Sequence, residues 1–402
     1  MARSLSPNIL PEGWQYDLLD SFTKRCSGHT PSKSHPEYWD GGIKWISLSD
    51  TYRLDKGYVY ETEKEISLEG IKNSSAEIHP AETVVLSRDA GIGKSGVMAE
   101  PMAVSQHFIA WKCDNQNTMH SWFLYNWLQL HKKEFERQAV GSTIKTIGLP
   151  YFKKLKIALP PFGEQKKIAK ILSTWDKAIA TVEKLIANSQ QQKKALMQQL
   201  ITGKKRLPGF GGEWSKSTLS KVADVVMGSS PKSEAYNENK EGLPLLQGNA
   251  DIKMRLSAPR VYTTQITKEC MAGDVLLSVR APVGEISRSV HHACIGRGIA
   301  AIRAKHGVSQ EYLYQWLLYI EPKWVRLSQG STFESVNGND VKGLHIDTPS
   351  QEEQQEISKI LTAADREIGN LSSQLEQIKR EKKALMQQLL TGKRRVNVEE
   401  AA

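Results

Sequence analysis

Cysteine is scarce in this chain of 402 residues: there are four, Cys26, Cys113, Cys270 and Cys294, with no CxxC pair and no cysteine–histidine ligand spacing. Reduced core or surface thiols are expected from that pattern, and no metal site. The ten histidines cluster only as the adjacent pair His291-His292, which also lacks ligand spacing. No run of about 18 apolar residues occurs, and the opening MARSLSPNILPEGW has no apolar core of signal-peptide length, so no membrane span is expected and the cytoplasm is the expected location. Negative charge is in deficit, with 44 Asp and Glu against 54 Lys and Arg. The net +10 points to a polyanionic partner, nucleic acid or an acidic membrane surface.

What the chain does contain is a duplication. KKALMQQLITGKKR, Lys193 to Arg206, returns as KKALMQQLLTGKRR, Lys382 to Arg395, and the match runs back without a gap to Glu164-Gln165 and Glu353-Gln354, giving 20 identities over 43 positions. Both copies share one heptad frame. Steps of four and three residues visit Ile168, Leu172, Trp175, Ile179, Val182, Ile186, Ser189, Lys193, Leu196 and Leu200 in the first, and Ile357, Leu361, Ala364, Ile368, Leu371, Leu375, Ile378, Lys382, Leu385 and Leu389 in the second. Each copy is therefore expected to be a long helix with one apolar seam. The helices begin beyond Pro160-Pro161 and Pro349 and stop at Gly203 and Gly392. At roughly 1.5–3 kcal/mol per buried large aliphatic side chain, two such stripes are expected to pair.

The repeat extends to what precedes each helix. Gly28-His29-Thr30-Pro31 is echoed by Gly228-Ser229-Ser230-Pro231, Val85-Leu86-Ser87 by Leu276-Leu277-Ser278, Tyr125-Asn126-Trp127-Leu128 by Tyr314-Gln315-Trp316-Leu317, and Gly141-Ser142-Thr143 by Gly330-Ser331-Thr332. Between these anchors identity is low, as expected of two modules on one frame reading different targets. The fold class is α+β, with two mixed α/β modules at 1–155 and 209–342 and helical regions at 156–208 and 343–402.

Catalytic motifs nearly appear and fail. Arg88 to Ser95, RDAGIGKS, ends like a phosphate-binding loop, but Arg88 holds the first-glycine position, and the second copy, VRAPVGEI, lacks the Lys-Ser pair. Leu159-Pro160-Pro161-Phe162 is close to the Asp/Asn-Pro-Pro-aromatic motif of amino-methyltransferases, yet Leu159 cannot accept a hydrogen bond from an adenine amino group. No catalytic residue is assigned.

A globular segment followed by Leu159-Pro160-Pro161, Glu164-Gln165 and the helix ending in Lys193 to Lys204, repeated with Thr348-Pro349, Glu353-Gln354 and Lys382 to Lys393, resembles the DNA specificity subunit of type I restriction-modification enzymes. The second copy departs from the pattern with Asp347-Thr348-Pro349-Ser350 where the first has Ala158-Leu159-Pro160-Pro161. The resemblance implies a noncatalytic subunit in which each module is a target recognition domain for half of a bipartite site on double-stranded DNA. It implies antiparallel coiled-coil helices related by a pseudo-twofold, setting the gap and docking two methyltransferase subunits, with restriction/translocase subunits joining. No cofactor is expected on this chain; S-adenosylmethionine, ATP and Mg are expected on the partners.

Two sets of residues follow. An antiparallel register that sets Ile179 against Ile378 places Lys382 against Trp175 and Lys193 against Ala364, so Lys382 is expected to lie along the Trp175 ring while Lys193 passes the small Ala364. Polar loop residues that the apolar frames do not need are the candidate DNA contacts: Lys33, Arg88, Lys94, Ser142, Thr143 and Lys145 in the first module, and Lys232, Gln247, Asn249, Arg280, Arg297, Ser331 and Thr332 in the second. The rival readings are a coiled-coil scaffold without sequence-specific DNA binding and a stand-alone nucleic-acid-modifying enzyme.

Overall fold

The computed structural model describes residues 10–113, 117–141, 145–280, 282–330 and 336–397. The chain divides into two compact units, Met1–Glu183 with Gln374–Ala402, and Lys184–Ser373.

In the first unit a five-stranded sheet runs in the order Lys24–Ser27, Phe108–Lys112, Val84–Ser87, Ser95–Met98, Tyr58–Val59. Val84–Ser87 is buried at all four positions because its apolar run is covered on both faces. Val84 and Leu86 pack with Leu124 and Leu128 of the helix Ser121–Gln138, while Val85 turns to Ile46, Met98 and Phe108. The strand Trp39–Ile46 pairs in parallel with Ala103–Val104. Gln15–Leu18 pairs with Lys156–Leu159, which joins the module's two ends where the first long helix begins.

The second unit repeats this frame. Its six-stranded sheet contains Ala223–Met227, Ile299–Ala304, Val275–Ser278 and Ile286–Arg288 in that order, Leu243–Leu246 pairs in parallel with Ala293–Ile295, and Ser215–Thr218 closes on His345–Thr348.

The long helices are Phe162–Leu200 and Gln351–Leu389, each 39 residues, or roughly 58 Å at 1.5 Å per residue. All the heptad positions named above are buried or half-buried, as a paired seam requires. Within the first unit, Glu164 meets Arg395, Asp176 meets Lys382 and Glu183 meets Lys379, so the two helices run antiparallel there. Within the second, Lys193 meets Asp365 and Arg206 meets Glu353, again antiparallel.

The two seam lysines end on carboxylates. Lys382 gives its ammonium to Asp176 Oδ1 at 2.6 Å, and Lys193 gives its own to Asp365 Oδ1 at 2.6 Å, each one residue beyond the Trp175 and Ala364 positions. A carboxylate neutralises a mostly buried ammonium more completely than an aromatic face does. The two aspartates are themselves an identity of the repeat.

The two compact units cut across the helical regions 156–208 and 343–402, for a physical reason. Met386, Leu389 and Leu390 of the second copy's KKALMQQLL lie in the first module's core with Ile168, Leu172 and Leu128. Met197, Leu200 and Ile201 of the first copy lie in the second module's core with Ile357, Leu361 and Leu317. Each helix end thus buries its apolar residues against the other copy's module, and the regions 156–208 and 343–402 are each divided between the two units.

The Glu-Gln motif is an architectural device. Gln165, almost wholly buried, accepts from His120 N at 2.8 Å and donates to the carbonyls of Thr118 and Pro160 at 2.9 Å; Gln354 accepts from Ser309 N and donates to Pro349 O in the same way. After each helix a glycine with positive φ, Gly203 (+67°) or Gly392 (+71°), turns the chain back, as a left-handed helix end requires. The arginines that follow then reach buried carboxylates: Arg206 to Glu353 at 2.8 and 2.7 Å, and Arg395 to Glu164 at 2.8 and 2.9 Å. In the second copy Ser350 Oγ accepts from Glu353 N at 3.3 Å, which accounts for the Thr348-Pro349-Ser350 departure: the serine caps the helix.

Candidate nucleic-acid interface

In the second module the loops at one end of the parallel pair Leu243–Leu246 and Ala293–Ile295 enclose an open polar cleft of about 530 Å³. Its lining includes Ser230, Gln247, Asn249, Ser278, Arg280 and Arg297. The frame that holds it is rigid. Gly228 N donates to Ile299 O at 3.0 Å and Ser229 N to Ile295 O at 2.9 Å, pinning the loop that ends at the buried Pro231. A Cβ at Gly228 would lie 2.1 Å from Gly296 O, so only glycine allows the two backbones to approach so closely. The buried carboxylate of Asp251 accepts from Gln247 N at 2.8 Å and from Arg260 Nε at 2.9 Å, which fixes the loop carrying Gln247 and Asn249. Asn249 Nδ2 donates to Glu285.

Arg280 and Arg297 are exposed on this cleft, and neither guanidinium has an ion-pair partner among the described residues. By contrast Arg255, Arg288 and Arg303 donate to Glu321, Glu311 and Asp274; burial opposes their charge, yet the hydrogen bonds they give these carboxylates hold their pKa above the ordinary arginine value. Two uncompensated guanidiniums, a free amide and a second amide oriented by a carboxylate make a concave surface suited to the planar donor and acceptor edges of nucleobases and to phosphate.

Of the sequence candidates in this module, Gln247, Asn249, Arg280 and Arg297 share the cleft. Lys232 is exposed beside it, between the lining residues Pro231 and Ser233, with its backbone N held by Gln265 Oε1 at 2.9 Å. Ser331 and Thr332 lie outside the described residues.

The first module distributes its candidates differently. Lys94 and Lys145 line a cleft of about 450 Å³ with Asp89, Lys132 and Glu136. Lys94 spends its ammonium on Thr51 O at 3.2 Å, and Lys132 pairs with Asp55 at 2.6 Å. Arg88 is mainly a backbone joint: its N donates to His107 O at 3.0 Å, its O accepts from Ile147 N at 2.9 Å, and its guanidinium lies 3.6 Å from Asp89. Lys33 is exposed on the loop after Pro31. Ser142 and Thr143 lie outside the described residues.

The shared frame reveals residues that the sequence did not single out. Arg88 N bonds His107 O as Val279 N bonds Gly298 O, so Asp89 stands in the place of Arg280 and Gln106 in the place of Arg297. Gln106 accepts from Thr30 Oγ1, and Asp89 accepts from both Thr146 Oγ1 and His107 Nδ1. Asp50, fully buried, takes the role of Asp251, accepting from Ser47 N at 2.9 Å and Glu63 N at 2.8 Å. Asp89 and Arg280 already align in RDAGIGKS and VRAPVGEI, whereas pairing Gln106 with Arg297 required the strand register, which low loop identity conceals.

The family model described as the type I restriction modification DNA specificity domain matches residues 11–189 and again 211–380. The chain belongs to the type I restriction-modification DNA specificity family. A putative type I restriction enzyme MjaX specificity subunit of Methanocaldococcus jannaschii is 36% identical over 299 residues, spanning 70% of each chain. The MjaVIII specificity subunit of the same organism is 26% identical over 424 residues, with 96% of this chain and 94% of that one covered. The solved S subunit of a type I restriction-modification system from M. genitalium shares the fold at a TM-score of 0.62 and 15% identity, covering 96% of this chain and 98% of its own. The family's two matched segments coincide with the duplication, each ending inside a long helix. Among the described residues no helix is long and apolar enough to cross a membrane.

Proposed function

We propose that each module reads one half of a bipartite site on double-stranded DNA, and that the long helices set the gap between the halves and dock two methyltransferase subunits. On this reading restriction/translocase subunits join the same assembly in the cytoplasm, and this chain supplies recognition while its partners supply the chemistry.

The observation that carries the reading is the second module's cleft, where Arg280 and Arg297 face open space without ion pairs beside Gln247 and Asn249. An exposed arginine that meets no carboxylate among the described residues is free to take an anion or a guanine edge, and each bidentate arginine–guanine pair contributes about 1–3 kcal/mol of discrimination. Lys33, Lys145 and Lys232, whose ammonium groups are not spent on carbonyls among the described residues, suit phosphate contacts that position without discriminating. At the positions that correspond to Arg280 and Arg297 the first module carries Asp89, bonded to His107, and Gln106, a set that favours different base edges.

The test is adenine-methylation mapping with the assembled complex, comparing the natural chain with Arg280→Glu/Arg297→Glu. The double variant is expected to lose selectivity at one half-site and keep it at the other. Full bipartite selectivity in the variant would remove the cleft from the recognition surface.

A further inference from the structure

Cys26, Glu77 and His79 offer three ligand atoms that all lie within 4.8 Å of one another in the first module. Glu77 and His79 are two residues apart, but Cys26 is remote from them in the sequence, so no cysteine–histidine spacing announces the set. His79 is fully buried, and neither of its ring nitrogens has a hydrogen-bond partner among the described residues. Leaving a buried imidazole wholly unsatisfied costs about 1–3 kcal/mol, and its backbone is fixed where it stands by paired bonds with Met102, 2.7 Å from His79 N to Met102 O and 3.0 Å from Met102 N to His79 O. Glu77 is exposed and bonded through one oxygen only, to Lys112 Nζ at 3.5 Å, which leaves the other free.

We infer that Cys26, Glu77 and His79 form a site for a divalent metal of zinc type, with one further position open to water. A thiolate, an imidazole and a carboxylate are the borderline-soft set that zinc takes. Binding exchanges the Cys26 thiol proton for a sulfur–metal bond and releases the proton to solvent. Lys112 and Lys24 bring positive charge close to the cluster, and the thiolate and carboxylate together offset it. The metal ties the strand Lys24–Ser27 to the segment leading into Val84–Ser87, two residues before the Gly28-to-Pro31 loop that flanks the first module's Gln106. The second module has no such need. Cys26 pairs with Ala110, which also pairs with Val85, while Val226 pairs with Ala301, which also pairs with Leu276; the counterpart of the thiol is therefore an apolar side chain.

Cobalt(II) titration of the untagged, metal-free full chain under reducing conditions tests the assignment. One cobalt per chain is expected, with a thiolate-to-cobalt charge-transfer band that zinc displaces. The band should vanish in Cys26→Ser and persist in Cys113→Ser, and Glu77→Gln, a change at an exposed residue, should weaken affinity by about 10-fold or more. Zinc should raise the melting temperature of the natural chain and leave that of Cys26→Ser unchanged, circular dichroism serving to verify that both are folded. A charge-transfer band that survives in Cys26→Ser, or no band in the natural chain at any cobalt concentration it tolerates, would overturn the site.

Discussion

The two helix-end locks look alike but are unequal, and the inequality can be measured. Glu353 is about 1% exposed and takes both of its side-chain bonds from Arg206, at 2.8 and 2.7 Å. Glu164 is equally buried but accepts from Trp14 Nε1 at 3.2 Å in addition to Arg395. Removing one partner of a buried pair costs roughly 3–5 kcal/mol, because the remaining charge stays desolvated. Arg206→Ala should be the more costly of the two changes, since no other side chain among the described residues bonds the Glu353 carboxylate. Arg395→Ala should cost less, about 2 kcal/mol, because the indole bond persists and the more exposed arginine leaves room for water. The losses should also be local: hydrogen exchange should rise in 184–373 for the first variant and in the other unit for the second. Adding Glu353→Gln to Arg206→Ala should recover most of the loss, as the amide carries no charge to strand. Equal losses for the two arginine variants, or no recovery by the glutamine, would refute the account of Glu353 as a stranded charge.

Three further outcomes follow from the same geometry. Gly228→Ala should destabilise the second unit by several kcal/mol in chemical denaturation, because its Cβ would lie 2.1 and 2.6 Å from carbonyl oxygens, whereas Gly211→Ala, with nothing within 4 Å, should be neutral. In the metal-free protein, His79 titrates at about 4 when folded and near 6.5 when unfolded. Its contribution of about 3 kcal/mol is therefore complete above pH 6.5 and is lost as the pH falls towards 4; His79→Asn should flatten that part of the stability–pH curve. Gly28→Ala should open the first module's loop as Gly228→Ala opens the second's, since its Cβ would meet Val104 O at 1.9 Å, and limited proteolysis near 28–35 reports it.

Much of this architecture was legible in the residues. The 43-position repeat and its heptads gave both helices, because seam burial is a local, periodic demand that every turn must satisfy. The Gly-x-x-Pro echo marked the loop that one shared bond pins in both modules, His29 N to Val104 O and Ser229 N to Ile295 O. What escaped was set by distance along the chain. Which module each KKALMQQL end completes is decided by the antiparallel pairing, and Met386 reaches a core that begins at Leu19. Asp176 and Asp365 were visible as a repeat identity, but only the helix pairing shows that they answer Lys382 and Lys193. Among the candidate contacts, charge alone misdirects: Lys94 is consumed by Thr51 O and Arg88 by its backbone role, while Gln106, an uncharged residue, stands where the second module has Arg297.

The exchange of helix ends between modules makes one more demand. Met386, Leu389 and Leu390 are almost fully buried in the first module's core, and Arg395 locks Glu164 just beyond them. At roughly 1.5–3 kcal/mol per buried side chain, losing the three removes about 5–9 kcal/mol, comparable with the whole stability of an ordinary domain. A chain ending at residue 373 should therefore unfold its first module although every residue of that module remains. Its second module should persist, because Met197, Leu200 and Ile201, which complete that core, are all retained. Hydrogen exchange or limited proteolysis reads the difference directly: protection lost in 84–112 and kept in 275–304. If instead the strands at 84–112 stay protected in the truncated chain, the first module's core closes without its borrowed helix end, and the swapped ends are ornament to the fold.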